Sequence, residues 1–208
     1  MKIVLIAIMA TTFITNAVAQ ESSKFLVGLK GGTNFSSVYN PQGDEFKADP
    51  KFGLAAGAFA GMPIGRYAGI QSEFLFSQKR FGVSGKVLGA PYQLIRTASY
   101  IDIPIFFTVA PTEFLTLLAG PQYSYLLHEK NVFKNTVLTG EQEQIFKDDN
   151  VRKSVLCFTG GGDINVDHLV LGIRVGWDIL NNSKDESDLT THYKKVWYQI
   201  MLGYRFYN

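Results

Sequence analysis

Three histidines, one cysteine and scattered acids are the side chains through which this chain of 208 residues could do covalent or metal chemistry. Ser124 and His128 fall on one face of a predicted strand, and a hydroxyl beside a base is the start of a nucleophilic site. Four residues along a strand separate them by roughly 13 Å, too far for a hydrogen bond. Glu129 points the other way and orients nothing. His128 and His192 lie at or beyond predicted strand ends, and His168 lies at a short turn. Asp148, Asp149, Asp185, Glu186 and Asp188 are loop acids without the regular oxygen spacing of a calcium loop. Neither Gly31-Gly32 nor Gly160-Gly161-Gly162 leads into the helix and Lys-Ser/Thr pair of a phosphate cradle. Cys157 has no intramolecular disulfide partner and reads as a small buried filler. No catalytic, cofactor-binding or metal-binding residue is assigned, and the expectation is a protein that is not an enzyme.

A different chemistry comes from charges that alternate with apolar residues. Lys30, Glu73, Asp102, Asp163, Arg174, Asp178 and Arg205, with Asn34, Gln71, Gln122 and Gln199, share the parity opposite to the apolar rows. Period two means strand. Buried together, three bases and four acids can mostly pair, which is the condition for keeping charge away from water. Arg174 or Arg205 with Glu73 or Asp102 are the expected pairs.

The elements that must position this set are eight alternating segments: Lys24 to Phe35, Phe52 to Ile64, Tyr67 to Lys79, Tyr100 to Ala110, Phe114 to Leu127, Ser154 to Val166, His168 to Leu180 and Val196 to Tyr207. In Tyr100 to Leu127 the outer face is Ile101, Ile103, Ile105, Phe107 and Val109, then Leu115, Leu117, Ala119, Pro121, Tyr123, Tyr125 and Leu127. A soluble sheet would cover such a face with a second layer, and the chain offers none. Their lengths match the ~9 to 11 residues of a tilted membrane strand. Connections alternate between long (Ser36 to Lys51, Arg80 to Ser99, His128 to Lys153, Asn181 to Lys195) and short (Gly65-Arg66, Pro111 to Glu113, Asp167). Tight periplasmic turns and longer extracellular loops give outer-membrane barrels this asymmetry. The expectation is an all-β, eight-stranded antiparallel up-and-down transmembrane barrel with both termini periplasmic and a lumen filled by side chains. Pro104 and Pro121 are expected to mark local bulges or twists, and the glycines at 160–162 kinks or bulges.

Residues 1–19 carry Lys2, an apolar run from Ile3 to Ile14 and the small-residue site Ala17-Val18-Ala19, the pattern of a cleaved signal peptide. Residues 20–208 then form one domain. A net charge of +2 gives no reason to invoke nucleic acid, while 20 Gly, 16 Phe and 10 Tyr suit a glycine-kinked, aromatic-belted barrel.

The segments GLKGGTNFS at Gly28 to Ser36, GIQSEFLFSQK at Gly69 to Lys79, YIDIPIFF at Tyr100 to Phe107, LLAGPQYSYLL at Leu117 to Leu127 and GYRF at Gly203 to Phe206 resemble the PorT-like outer-membrane β-barrels. The resemblance implies an eight-stranded outer-membrane barrel and, for the founding member, a role linked to type IX protein secretion. It supplies no catalytic motif. This chain departs from the usual terminal aromatic by ending Phe206-Tyr207-Asn208.

Three functions follow as expectations: a non-enzymatic barrel contacting outer-membrane lipids and other outer-membrane or secretion proteins, an outer-leaflet lipid-modifying enzyme, or a soluble lipocalin-like binder with its apolar rows inside. For the first, the contact element is His128 to Lys153, through Val132, Phe133, Val137, Leu138, Ile145 and Phe146. Lys194-Lys195 is a further candidate for meeting anionic lipid headgroups.

Overall fold

A computed structural model describes residues 25–39, 48–87, 90–135, 142–144, 153–179 and 194–206. The segment assigned as signal peptide lies outside them, as do Val137, Leu138, Ile145, Phe146, His192 and the loop acids named above.

Alternation becomes strand throughout: β1 (Leu26–Tyr39), β2 (Ala48–Pro63), β3 (Ala68–Val87), β4 (Ala90–Thr112), β5 (Leu115–Asn135), β6 (Gln142–Gln144), β7 (Ser154–Val166), β8 (Leu169–Asp178) and β9 (Lys194–Arg205). Every pairing is antiparallel. The order β4-β3-β2-β1-β9-β8-β7-β5 closes through a β4–β5 ladder, so eight long strands form a barrel, and β6 hangs on the far end of β5. Closure leaves no free sheet edge within the wall. The turns at 64–67, 113–114 and 167–168 share one end of the barrel with the start of β1 and the finish of β9. Asp167 takes a φ of 49° in the two-residue turn at 167–168, a conformation that Asp tolerates better than most residues.

The barrel is inverted relative to a soluble protein. Leu29, Phe74, Phe107, Leu117, Ile173 and Leu202 are exposed, while Lys30, Glu73, Asp102 and Arg174 are buried. In β8 the two classes alternate residue by residue. A soluble binder with an apolar interior would show the reverse, so the burial pattern overturns the lipocalin-like alternative.

All four expected long loops are partly strand, two of them over long stretches. Residues 80–99 continue the β3–β4 hairpin through Val83↔Leu94 to Val87↔Ala90, and β5 runs on to Asn135. Beyond the apolar band neither face has to be greasy, so the alternation fades while backbone pairing persists.

The prolines and glycines do not sit at bulges. Around Pro104 the β3–β4 ladder lapses between Ser72↔Ile105 and Leu75↔Asp102 and resumes in the same register. Pro121 and Gly160 to Gly162 lie within the uninterrupted β5–β7 register. The shifts fall at Lys51/Ala55, Ser99/Tyr100 and Val109/Thr112. Gly161 is needed for closeness instead, because a Cβ there would collide with the Ile173 carbonyl and press on Arg174.

Candidate functional site: a charged lumen and a raised sheet

Inward positions on strands from opposite walls converge on two charged clusters. Near the short-turn end, Lys30 Nζ on β1 donates to Glu73 Oε1 on β3 at 2.6 Å, and Gln71 Nε2 donates to the same oxygen at 2.9 Å. Arg174 on β8 forks onto Asp163 on β7, with Nη1 to Oδ1 at 2.7 Å and Nη2 to Oδ2 at 3.0 Å. Its Nη2 also reaches Glu73 across the lumen at 3.3 Å. The Phe59 and Phe106 rings cover the two cations, at 4.6 Å from Lys30 Nζ and 5.5 Å from Arg174 Cζ.

Toward the other end, Lys79 Nζ lies 3.5 Å from Asp102 Oδ2, 3.6 Å from the centroid of the Trp197 ring and 4.8 Å from that of Tyr100. Lys195 donates to the Tyr100 hydroxyl from its ammonium and to Asp178 Oδ2 from its backbone N–H. Cys157, fully buried, donates to Asp178 Oδ1 at 3.3 Å. Neutral groups join the clusters: Gln199 Nε2 donates to Asn34 Oδ1, Asn34 Nδ2 to Ser77 Oγ, Thr159 Oγ1 to Gln122 Oε1 and Gln122 Nε2 to Ser124 Oγ. Ala55, Leu75 and Met201 pack as an apolar patch within the lumen.

Several sequence expectations change in detail. Lys79 and Lys195 join the lumen although neither was counted there, so the buried ions are four bases (Lys30, Lys79, Arg174, Lys195) and four acids (Glu73, Asp102, Asp163, Asp178) among the described residues. Their parity was the available signal, and their place at the end of the apolar band hid it. Lys195 therefore does not meet lipid. Arg205 is only half-buried at the short-turn rim, where its guanidinium donates to the Asp167 carbonyl at 2.7 Å and pairs with neither Glu73 nor Asp102. Ser124 and His128 do not share a face, because the register shift at Ser99/Tyr100 turns His128 outward while Ser124 stays buried against Cys157 at 3.6 Å. His168 Nδ1 sits 2.9 Å from the Arg205 carbonyl, and its ring stacks on Tyr204. No group of three or more His, Cys, Asp or Glu side chains arranged to hold a metal exists among the described residues.

A cavity of about 110 Å³ opens at the short-turn end between Phe59, Gln71, Thr108, Thr116, Asp163 and Arg205. Glu73 and Arg174 lie beyond its wall, and the ion pairs with Leu75, Met201, Phe106 and Trp197 fill the lumen above it.

The second feature stands at the opposite end. Strands β3, β4 and β5 have 20, 23 and 21 residues, about twice what a tilted crossing needs. Residues 90–99 of β4 alone extend on the order of 30 Å along the strand. Val132 and Phe133 lie on this extension, opposite Ile95 and Leu94 on one side and Glu143 and Gln142 of β6 on the other. On its inner face Arg96 and Glu129 form an ion pair.

The fold is similar to that of the attachment invasion locus protein Ail of Yersinia pestis, at 17% identity and a TM-score of 0.50, covering 87% of this chain and 98% of that one. It is similar also to Neisserial surface protein A, at 8% identity and a TM-score of 0.50, covering 86% and 97%. At these identities the likeness is one of fold. No curated protein sequence matches the chain. The sequence profile of the outer membrane protein β-barrel domain matches residues 18–185, most of the chain, and the protein belongs to that family.

Proposed function

We propose that the protein is a sealed, non-enzymatic outer-membrane barrel serving as a structural or accessory subunit of an outer-membrane assembly, and that the raised sheet of β3, β4 and β5 is the part its partner meets. Segment 1–19 is removed on export, both termini lie in the periplasm and the long strands project outside. The observation that carries this reading is the length of β3 to β5 beyond the apolar band, because backbone paired that far outside the membrane serves neither insertion nor closure. The short turns gathered at one end agree with the orientation usual for such barrels. The filled lumen argues for a scaffold over a channel, and the buried Ser124, turned away from His128, offers no nucleophile. Protein secretion machinery, the setting of the PorT-like proteins this sequence resembles, is the first class of partner to seek.

Purification in mild detergent, followed by identification of co-eluting proteins, tests the proposal when done on the full chain and on a variant in which residues 84–93 are replaced by a two-residue turn. A partner that co-elutes with the full chain and is lost from the trimmed one is the expected result. An identical set of proteins from both, or none from either, refutes the raised sheet as the contact.

A further inference from the structure

Outside the barrel, the change from apolar to polar residues happens in register across β3, β4 and β5. Phe76, Ile101 and Tyr125 are direct cross-strand neighbours on β3, β4 and β5 and form the apolar row that precedes the change, with Ile95↔Val132 the next apolar pair beyond it. One step outward, Gln78, Ser99 and His128 are paired in the same way. The next step is Lys51, Arg80, Thr97 and Lys130, paired Lys51↔Arg80, Arg80↔Thr97 and Thr97↔Lys130. Direct partners on an antiparallel sheet share a face, so these side chains form one row on the wall, with neighbours ~5 Å apart and Arg80 within ~10 Å of Lys130. All four are partly exposed, and Arg80 Nη1 donates to the Phe52 carbonyl at 3.3 Å, which lays the guanidinium along the wall. Asp49 borders the row on β2 and Lys153 lies beyond it, beside Leu126.

Depth decides what such a row can touch. The outward apolar residues of β4 run from Ile101 to Val109, ~26 Å along the strand, which fills a hydrophobic band ~25 Å tall once tilt is allowed for. The basic row therefore stands at headgroup level, continuous with the lipid-facing wall. At the short-turn end Arg66, Glu113 and Asp167 mix signs and make no comparable row.

We infer that Lys51, Arg80, Thr97 and Lys130 form a binding row for the phosphate groups of an anionic glycolipid in the leaflet at the long-strand end. The inference rests on the orientation proposed above, which makes that leaflet the outer one. Two bases flank a hydroxyl donor, so a headgroup with more than one phosphate can engage several strands at once while its acyl chains lie against Phe76, Ile101 and Tyr125. Each basic residue near an anionic headgroup layer contributes about fivefold in affinity, so removing two should weaken binding on the order of 25-fold.

Native mass spectrometry of the detergent-purified full chain reads this directly, with lipid A and lipid A stripped of its phosphates as probes. Wild type should hold the phosphorylated lipid preferentially, and the Arg80→Gln, Lys130→Gln double variant should lose about 25-fold in occupancy without losing its folded-barrel mobility on gels. Equal retention of the two lipids by wild type, an unchanged double variant, or displacement of the lipid by inorganic phosphate alone would each overturn the inference. Orientation is read separately, by labelling Thr97→Cys in intact cells with a membrane-impermeant maleimide. Labelling without phosphate selectivity overturns the lipid row and leaves the orientation standing. Selectivity without labelling overturns the orientation and with it the assignment to the outer leaflet.

Discussion

Replacing Lys79 by Met tests whether the lumen is held by paired charge. Met keeps most of the length of the side chain and removes the ammonium, whose Nζ lies 3.5 Å from Asp102 Oδ2 and 3.6 Å from the Trp197 ring centroid. Asp102 is 1% exposed, and Lys79 is its ion-pair partner among the described residues, so the substitution strands a buried carboxylate. Breaking a buried pair from one side typically costs about 3 to 5 kcal/mol. The lost contacts between the cation and the Trp197 and Tyr100 rings add roughly 0.5 to 2 kcal/mol. Replacing Asp102 by Leu in the same background removes the stranded charge and leaves only the ring contacts and packing changes as costs. The Lys79→Met, Asp102→Leu double variant should therefore recover most of the loss, with a coupling free energy of about 2 to 3 kcal/mol within the range for residues in contact. Denaturant unfolding in detergent micelles, followed by Trp fluorescence and by gel mobility without heating, measures all four corners of the cycle. Additive single losses, or a Lys79→Met penalty below about 1 kcal/mol, would refute the paired-charge account.

Three further outcomes are expected. Gly176→Ala places a methyl group into the Trp197 ring and beside Thr159 Oγ1, so equilibrium unfolding should show a loss of about 1 to 3 kcal/mol from overpacking, with Gly31→Ala, whose Cβ would meet the Ala55 carbonyl at an ordinary 4.0 Å, as the near-neutral control. Ile105→Arg, in the middle of the outward row of β4, should destabilise the barrel in bilayers by about 2 to 4 kcal/mol, whereas Thr97→Arg, on the row beyond the band, should cost no more than about 1 kcal/mol; equal penalties would remove the depth assignment. Planar bilayers containing the wild-type protein should stay electrically silent, and steady single-channel steps would show that the ion pairs among Lys30, Glu73, Arg174 and Asp163 do not seal the lumen.

What the sequence made legible was whatever the bilayer enforces. Lipid requires the outward parity of every crossing strand to be apolar, so Leu169, Leu171, Ile173 and Trp177 stood out, and their complement Arg174 and Asp178 followed. Where lipid ends, that constraint ends. Residues 80–99 pair as strand with no alternation to announce it, and Lys79 and Lys195 occupy inward positions at the band's edge, where a Lys reads equally well as a rim charge. The expected bulges failed for another reason. Pro104 interrupts a ladder without adding a residue, and Gly161 serves close approach between neighbouring strands, so residue type alone did not predict where the register shifts. The His128 face was missed because a shift at Ser99/Tyr100 changes every parity beyond it.

The arrangement of the lumen charges also bears on how the barrel selects its closed form. A one-residue slip in any strand would exchange its apolar and polar faces, placing charge in lipid at a cost of several kcal/mol. That penalty fixes sidedness, but sidedness alone does not fix which strands end up opposite one another. The pairs that reach between non-neighbouring strands do so: Lys30 on β1 with Glu73 on β3, Arg174 on β8 with Glu73, and Lys195 on β9 with Tyr100 on β4. The last two are satisfied only when the sheet has curled far enough to bring opposite walls together, whereas Lys30 and Glu73 flank the single strand β2 and the fork of Arg174 on Asp163 forms between adjacent strands β7 and β8, both before closure is needed. An apolar lumen of the same volume would reward burial in many registers and curvatures alike. The ionic lumen rewards one closure.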